Sequence, residues 1–229
     1  MKTSNKLIIS LLALLFLAIL GSAMVLKAEY DKIDQNDPFY GYTSEVVTGF
    51  SAVKLQNQYL ELVQVQEGDK FEIKKRNAHD NVQWAVQDDT LVLTFPQMKL
   101  PPYYSFASII TRELPGVYII TPQLGSVHSQ GIICKLKGWQ QSNLQLVTEG
   151  ETGGILLAGN TIEHLSASVA LGSTLRINAD NQVGQAQVAV RDSSAFVTEY
   201  NAIDSLKIGA DATARIQLPG SLYSQLAPE

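Results

Sequence analysis

From Leu124 to Pro219 the chain repeats itself about every 20–21 residues, a period that signals a repeat architecture. Successive units open on Leu124-Gly125-Ser126-Val127, Leu144-Gln145-Leu146-Val147, Leu165-Ser166-Ala167-Ser168-Val169, Ala186-Gln187-Val188-Ala189-Val190 and Leu206-Lys207-Ile208. Their first residues are 20, 21, 21 and 20 positions apart. A second apolar run follows in each later unit: Ile155-Leu156-Leu157, Leu175-Arg176-Ile177, Phe196-Val197 and Arg215-Ile216-Gln217-Leu218. Small or polar corners separate the two runs, as at Gly150-Glu151-Thr152-Gly153-Gly154, Leu171-Gly172-Ser173-Thr174, Asp192-Ser193-Ser194-Ala195 and Gly209-Ala210-Asp211-Ala212.

A strand of four or five residues spans about 13–17 Å. Two such strands and two corners fill one unit. No unit can bury its apolar face alone, but each can bury it against its neighbours. The expected fold is therefore all-β: a single-stranded, right-handed, parallel β-helix-like solenoid with coils of about 20 residues, preceded by one N-terminal transmembrane helix. Leu144, Leu165, Ala186 and Leu206 form one inward column, and Leu146, Ala167, Val188 and Ile208 a second. Gln145, Ser166, Gln187 and Lys207 alternate with these and point outward. An antiparallel sandwich is the competing architecture, but it does not require so even a spacing.

The segment Leu7–Leu26 carries no charge and is long enough to span a bilayer core of about 30 Å. Lys2 and Lys6 precede it, and Lys27, Glu29, Asp31 and Lys32 nearly cancel after it, so the N-terminus is expected in the cytoplasm and the remainder outside. The expected location is the bacterial cell envelope, anchored in the inner membrane with the domain in the periplasm. A signal peptide cut near Gly21-Ser22-Ala23 is the alternative, which would release the domain or place it on the outer surface. The region after residue 140 holds four basic and nine acidic side chains, an unsuitable balance for nucleic acid. The one cysteine, Cys134, excludes an internal disulfide and reads as a buried thiol.

The expected organisation is an anchor or signal segment over 1–26, a juxtamembrane linker over 27–49, the solenoid over 50–221 and a tail over 222–229 that caps the last coil. Residues 50–95 alternate in period two, and Asp88-Asp89 reads as a hairpin turn. Lys74-Lys75-Arg76 reads as a solvated strand end. Prolines 96, 101, 102 and 115 bracket an aromatic insertion containing Tyr103, Tyr104 and Phe106, a loop or short helix across the sheets.

The anchor Leu7–Leu26, the opening Phe50-Ser51-Ala52-Val53, the step Ile119-Ile120-Thr121-Pro122-Gln123-Leu124 and the repeated small corners together resemble the auto-transporter adhesin head GIN domain family, a domain of unknown function in Bacteroidetes-type envelope proteins. The resemblance covers roughly residues 48–221. Asp192-Ser193-Ser194 lacks the glycine common at the family's corners, and the Pro-rich insertion is an addition. The resemblance implies a β-helix-like fold and an envelope location, and no established activity.

Catalytic signatures such as H-E-x-x-H, G-x-S-x-G and the phosphate loop are absent from the sequence. His79, His128 and His164 read as surface or corner residues, with Glu163 and His164 expected on opposite strand faces. Glu151, Asp192 and Asp211 occupy comparable corners, but Gly172-Ser173 interrupts a carboxylate ladder. The expectation is a non-catalytic binding or adhesion module for an envelope glycan or protein, with no cofactor, no metal and no nucleic-acid partner. The ligand surface is expected at Tyr103, Tyr104, Phe106, Gln145 and Gln187. The alternatives are a scaffold assembling end to end and a polysaccharide-active enzyme.

Overall fold

In a computed structural model the described residues are 3–34, 37–57, 59, 61–76, 81–96, 105–111 and 114–226. They fall into two units, Met1–Gly41 and Tyr42–Glu229. The first contains helix α1, Thr3–Tyr30. Leu, Ile, Ala and Met dominate it and no proline interrupts it, so backbone propensity and sequence agree. Its Asn5–Tyr30 stretch is long and apolar enough to cross a membrane, and it contains the expected span.

The second unit stacks strands into two sheets. The chain alternates between them from β8 (Ser126–Gln130) and β9 (Ile133–Lys137) through β10 (Gln140–Glu149), β11 (Gly154–Ala158), β12 (Thr161–Ala170), β13 (Thr174–Ile177), β14 (Gln182–Val190), β15 (Ala195–Thr198), β16 (Ile203–Ala210) and β17 (Arg215–Gln217). The even-numbered strands of this run form sheet II and the odd-numbered ones sheet I, each paired in parallel with its counterpart one coil away. This is the expected solenoid. The register places Leu144, Leu165, Ala186 and Leu206 side by side, all buried.

The N-terminal half follows a less direct route. Strands β2 (Ala52–Gln56) and β3 (Val63–Glu67) make the first coil, yet it is not the end of the stack. On one side β2 pairs with β6 (Thr90–Thr94) and β3 with β7 (Val117–Thr121). On the other side the same two strands pair with β8 and β9. The first coil is thus enclosed between two coils that follow it in sequence.

Antiparallel strands close that end. β4 (Glu72–Arg76) lies against β7, and β1 (Tyr42–Val46), inside the expected linker, lies against β4. β5 (Gln83–Gln87) folds back on β6 through Asp88 and Asp89, whose φ values of 46° and 62° suit a tight hairpin. Reversing direction at an edge offers a following parallel coil no matching register. At the other end helix α3 (Gly220–Leu226) seats Leu222 in the core, while β16 and β17 remain the outermost strands.

The basic run Lys74-Lys75-Arg76 is not a solvated strand end. Lys74 pairs with Glu72, Arg76 with Glu61, and the buried Lys75 with Glu45 at 2.6 Å. Glu45 also accepts a hydrogen bond of 2.6 Å from the Trp84 indole, so one carboxylate clasps β4 of sheet I to β5 of sheet II. The Lys75 and Trp84 donors hold the Glu45 carboxyl below its ordinary value. A lowered carboxyl pKa contributes stability that is complete above the unfolded value and lost as pH falls through the folded one. Below about pH 4.5, the wild-type melting temperature should therefore fall more steeply than that of Glu45→Gln. Parallel pH slopes for the two proteins would exclude the clasp.

The interior is apolar and continuous. Cys134, Ile155, Leu175 and Phe196 form one buried column of sheet I. Burial pushes the Cys134 thiol up to about 12, which leaves almost no thiolate at neutral pH. The native protein should resist alkylation by iodoacetamide at pH 8 and become labelled once unfolded, as read by intact mass.

One corner is held by buried side chains that sequence patterning did not single out. Asn160 donates from Nδ2 to Leu136 O at 3.1 Å and accepts from Trp139 N at 3.0 Å. Asn181 repeats this one coil on, donating to Leu157 O at 2.9 Å and accepting from Asn160 N at 3.0 Å. Both amides are buried and satisfied, and each ties its own coil to the preceding one. At the opposite corner Gly131, Gly150, Leu171 and Asp192 take φ values of 69°, 101°, 56° and 57°. Glycine is free of strain there, while Leu171 and Asp192 adopt the same left-handed backbone without it.

Sheet II bends at the same place in the four coils of β10, β12, β14 and β16. Glu163 and His164 are both exposed between the buried Ile162 and Leu165, and Asp204 and Ser205 repeat the arrangement between Ile203 and Leu206. The expectation that Glu163 and His164 face opposite sides is therefore corrected: the bend inserts one outward residue into the alternation. Gly184 stands at the same position, where a Cβ would come within 2.9 Å of Glu163 O.

Candidate binding groove on sheet II

The bend leaves a groove of about 700 Å³ on the outer face of sheet II. One wall is the column Asn143, His164, Gln185 and Ser205, and the other is Gln145, Ser166, Gln187 and Lys207. Leu144, Leu165 and Ala186 line the floor, with their side chains buried in the core. The groove runs across the strands. Four coils make three interstrand steps, about 14 Å in all. A second depression of about 320 Å³ lies on the far side of the same ridge, bounded by Val147, Ser168, Ala189 and Gly209.

Both walls are exposed. Among the described residues, none of their eight side chains takes part in a hydrogen bond or ion pair. The outer face of sheet I differs. There Arg176 pairs with Glu199, which also accepts from Gln217, and Gln64 bonds Gln66. The polar groups of sheet I are partly engaged with one another, while those of the groove are left to solvent or to a ligand. No carboxylate lines the groove, although the domain is acidic, and Lys207 is its one side chain of fixed charge.

The expected ligand residues separate. Gln145 and Gln187 lie in the groove wall, in one column with Ser166 between them. Phe106 belongs to helix α2 (Phe106–Ile110), whose N-terminus is held by a reciprocal Ser105–Ser108 capping box. That helix packs on the outer face of sheet I. Ile109 is buried with Leu62 and Ile133, and Phe106 and Ile110 pack against them. The Phe106 ring occupies the space a Cβ on Gly154 would need. Phe106 and the glutamines therefore stand on different sheets. Tyr103 and Tyr104 lie outside the described residues, as does His79.

His128 bonds Glu149 at 3.0 Å across neighbouring strands of sheet II. Asp211 accepts from Asp192 N and Thr213 at an exposed corner, where the donated hydrogen bonds hold its carboxyl below the ordinary value. Among the described residues no three His, Cys, Asp or Glu side chains are grouped to hold a metal ion. The bend was invisible to strict alternation, which sends Glu163 and Asp204 inward, whereas the wall Asn143, His164, Gln185 and Ser205 directly precedes the buried column and obeys it. The signal that could have found the bend is the pair of adjacent polar residues before Leu144, Leu165 and Leu206, with Gly184-Gln185 in that place before Ala186.

No family model matches this chain, and no curated protein matches it. Several solved structures are similar at low identity. A protein named "putative adhesin" from Bacteroides fragilis NCTC 9343 shares 13% identity at TM-score 0.39, covering 77% of this chain and 96% of its own. A "putative lipid binding protein" from Parabacteroides distasonis ATCC 8503 shares 10% at TM-score 0.37, covering 77% and 95%. A "putative adhesin" from Parabacteroides merdae ATCC 43184 shares 12% at TM-score 0.32, covering 77% and 94%.

Proposed function

We propose that this chain is a non-catalytic, membrane-anchored binding module of the cell envelope, whose ligand face is the outer side of sheet II. The reading rests on one observation above all: two facing columns of exposed amide, hydroxyl, imidazole and ammonium groups line a groove and engage nothing else in the described protein. The apolar helix α1 supplies the anchor, with the solenoid on the periplasmic side. The ligand is an envelope glycan or protein. A rigid parallel sheet holds the groove residues in fixed register, so little conformational entropy is lost when a ligand docks on them.

The test uses the full chain reconstituted in nanodiscs and incubated with purified envelope polysaccharide and, separately, solubilised envelope protein. Ser166→Trp fills the centre of the groove on an exposed strand position, where tryptophan suits the backbone. Retention of one of the two fractions should fall about tenfold in this variant, in keeping with loss of a central contact. Equal retention by wild type and variant would reject sheet II as the ligand face. The anchor is tested separately: the chain should sediment with membranes and stay there through a high-pH wash.

A further inference from the structure

We infer that the groove on sheet II takes an extended, uncharged, linear polysaccharide, lying along the solenoid axis and crossing the strands. This rests on the reading of sheet II as the ligand face and goes on to specify the ligand.

The direction follows from the floor. The groove runs past Leu144, Leu165 and Ala186, residues of three successive strands held in parallel register, so its long axis is the stacking axis. A compact ligand would use one end of it. A linear one uses its whole length, about 14 Å.

The chemistry of the walls selects the class. Asn143, Gln145, Gln185 and Gln187 each present a donor and an acceptor, Ser166 and Ser205 present hydroxyls, and His164 an imidazole. A chain of sugar hydroxyls is both donor and acceptor along its length and meets such groups without having to match a charge pattern. A peptide backbone has less to gain. The floor strands β10, β12 and β14 are interior strands of sheet II, whose backbone groups are already engaged in the ladder, so strand addition is closed to it. The walls contain no acidic side chain and a single fixed cation, Lys207, at the C-terminal end. A polyanion would meet one lysine in a domain region carrying nine acids. A polycation would find no carboxylate in the lining.

The register explains how a repeating ligand is met. Gln145, Ser166, Gln187 and Lys207 recur at one interstrand step, about 4.8 Å, as do the residues of the facing wall. Spaced, identical backbone positions give a polymer several equivalent footholds, so longer segments bind more tightly than short ones. No Phe, Tyr or Trp ring lines the groove. Each site is then weak, and function depends on several copies engaging one polymer.

The experiment titrates the full chain in detergent micelles with disaccharides and tetrasaccharides of linear β-glucan, xylan and mannan. A tetrasaccharide of galacturonan and an array of extended peptides are run in parallel. The expected result is saturable binding of at least one neutral tetrasaccharide, about tenfold tighter than its disaccharide. That binding should weaken about tenfold or more in Ser166→Trp and in the double variant Gln145→Ala/Gln187→Ala, with the melting temperature retained. Arg176→Ala, on sheet I, should leave it unchanged. Preference for galacturonan over every neutral sugar overturns the inference. Binding of peptides alone, lost in Ser166→Trp, overturns it too but leaves sheet II standing as the ligand face. Neutral-sugar binding that survives Ser166→Trp overturns both. If no probe binds, the inference fails, and the nanodisc retention assay decides the broader reading by itself.

Discussion

Asn160→Ala should lower the stability of the solenoid by about 4 kcal/mol, from one buried donor left without a partner at about 1–3 kcal/mol and two further buried bonds lost at about 0.5–1.5 kcal/mol each. The substitution orphans Trp139 N, takes a side-chain donor from Leu136 O, both in the coil before it, and removes the 2.8 Å bond to Asn181 Oδ1. Water cannot replace them without entering a corner where Asn160 is 1% exposed. For a domain of this size the loss corresponds to a fall of about 10 °C in melting temperature. The measurement is thermal unfolding followed by circular dichroism. Asn181→Ala should behave alike, and the double variant should lose less than the sum, because the two amides share a bond. A loss below about 1 kcal/mol for Asn160→Ala would show that the ladder does not hold the coils.

Phe196→Ala should cost about 4 kcal/mol, in the range for large-to-alanine changes that leave a cavity. Phe196 is fully buried, with Leu175 beside it on one strand and Ile216 on the other. Its neighbours are tied into hydrogen-bonded ladders on both sides, so the site cannot collapse to fill the gap. The next residue, Val197, points the other way and is only half-buried, so Val197→Ala should cost less than about 1 kcal/mol. Urea unfolding of both variants tests the pair. Similar losses would contradict the face assignment of β15, because shifting a strand by one residue exchanges its two faces.

Where every coil repeats the same alternation, the architecture was legible. Leu144, Leu165, Ala186 and Leu206 face inward as read, Gln145, Ser166, Gln187 and Lys207 face outward, and Asp88-Asp89 turns a hairpin. Half of the groove was legible for the same reason. The other wall obeys the same alternation, since His164 directly precedes a buried leucine, but the bend beyond it was not legible, because strict alternation sends Glu163 inward. The asparagine ladder was also missed. Asn160 and Asn181 look like ordinary turn residues in a polar corner, and nothing local distinguishes a buried amide bonded to the previous coil from an exposed one. Lys75 looks solvated from sequence for a related reason: its partner Glu45 lies 30 positions away, on a strand inside the expected linker.

By itself the sequence determined the apolar helix, the two-strand coil, its period and which residues point into the core. These follow from periodicities that act over a few residues or one repeat, and burial enforces them. Only the tertiary structure decided that the coil β2/β3 is enclosed between later coils, that antiparallel strands close the N-terminal end, and that Phe106 and the glutamines lie on different sheets. Those outcomes depend on which strand edges meet. Edges carry the same N–H and C=O groups whatever the side chains, so the choice is made by packing between segments far apart in the chain, which no local pattern records.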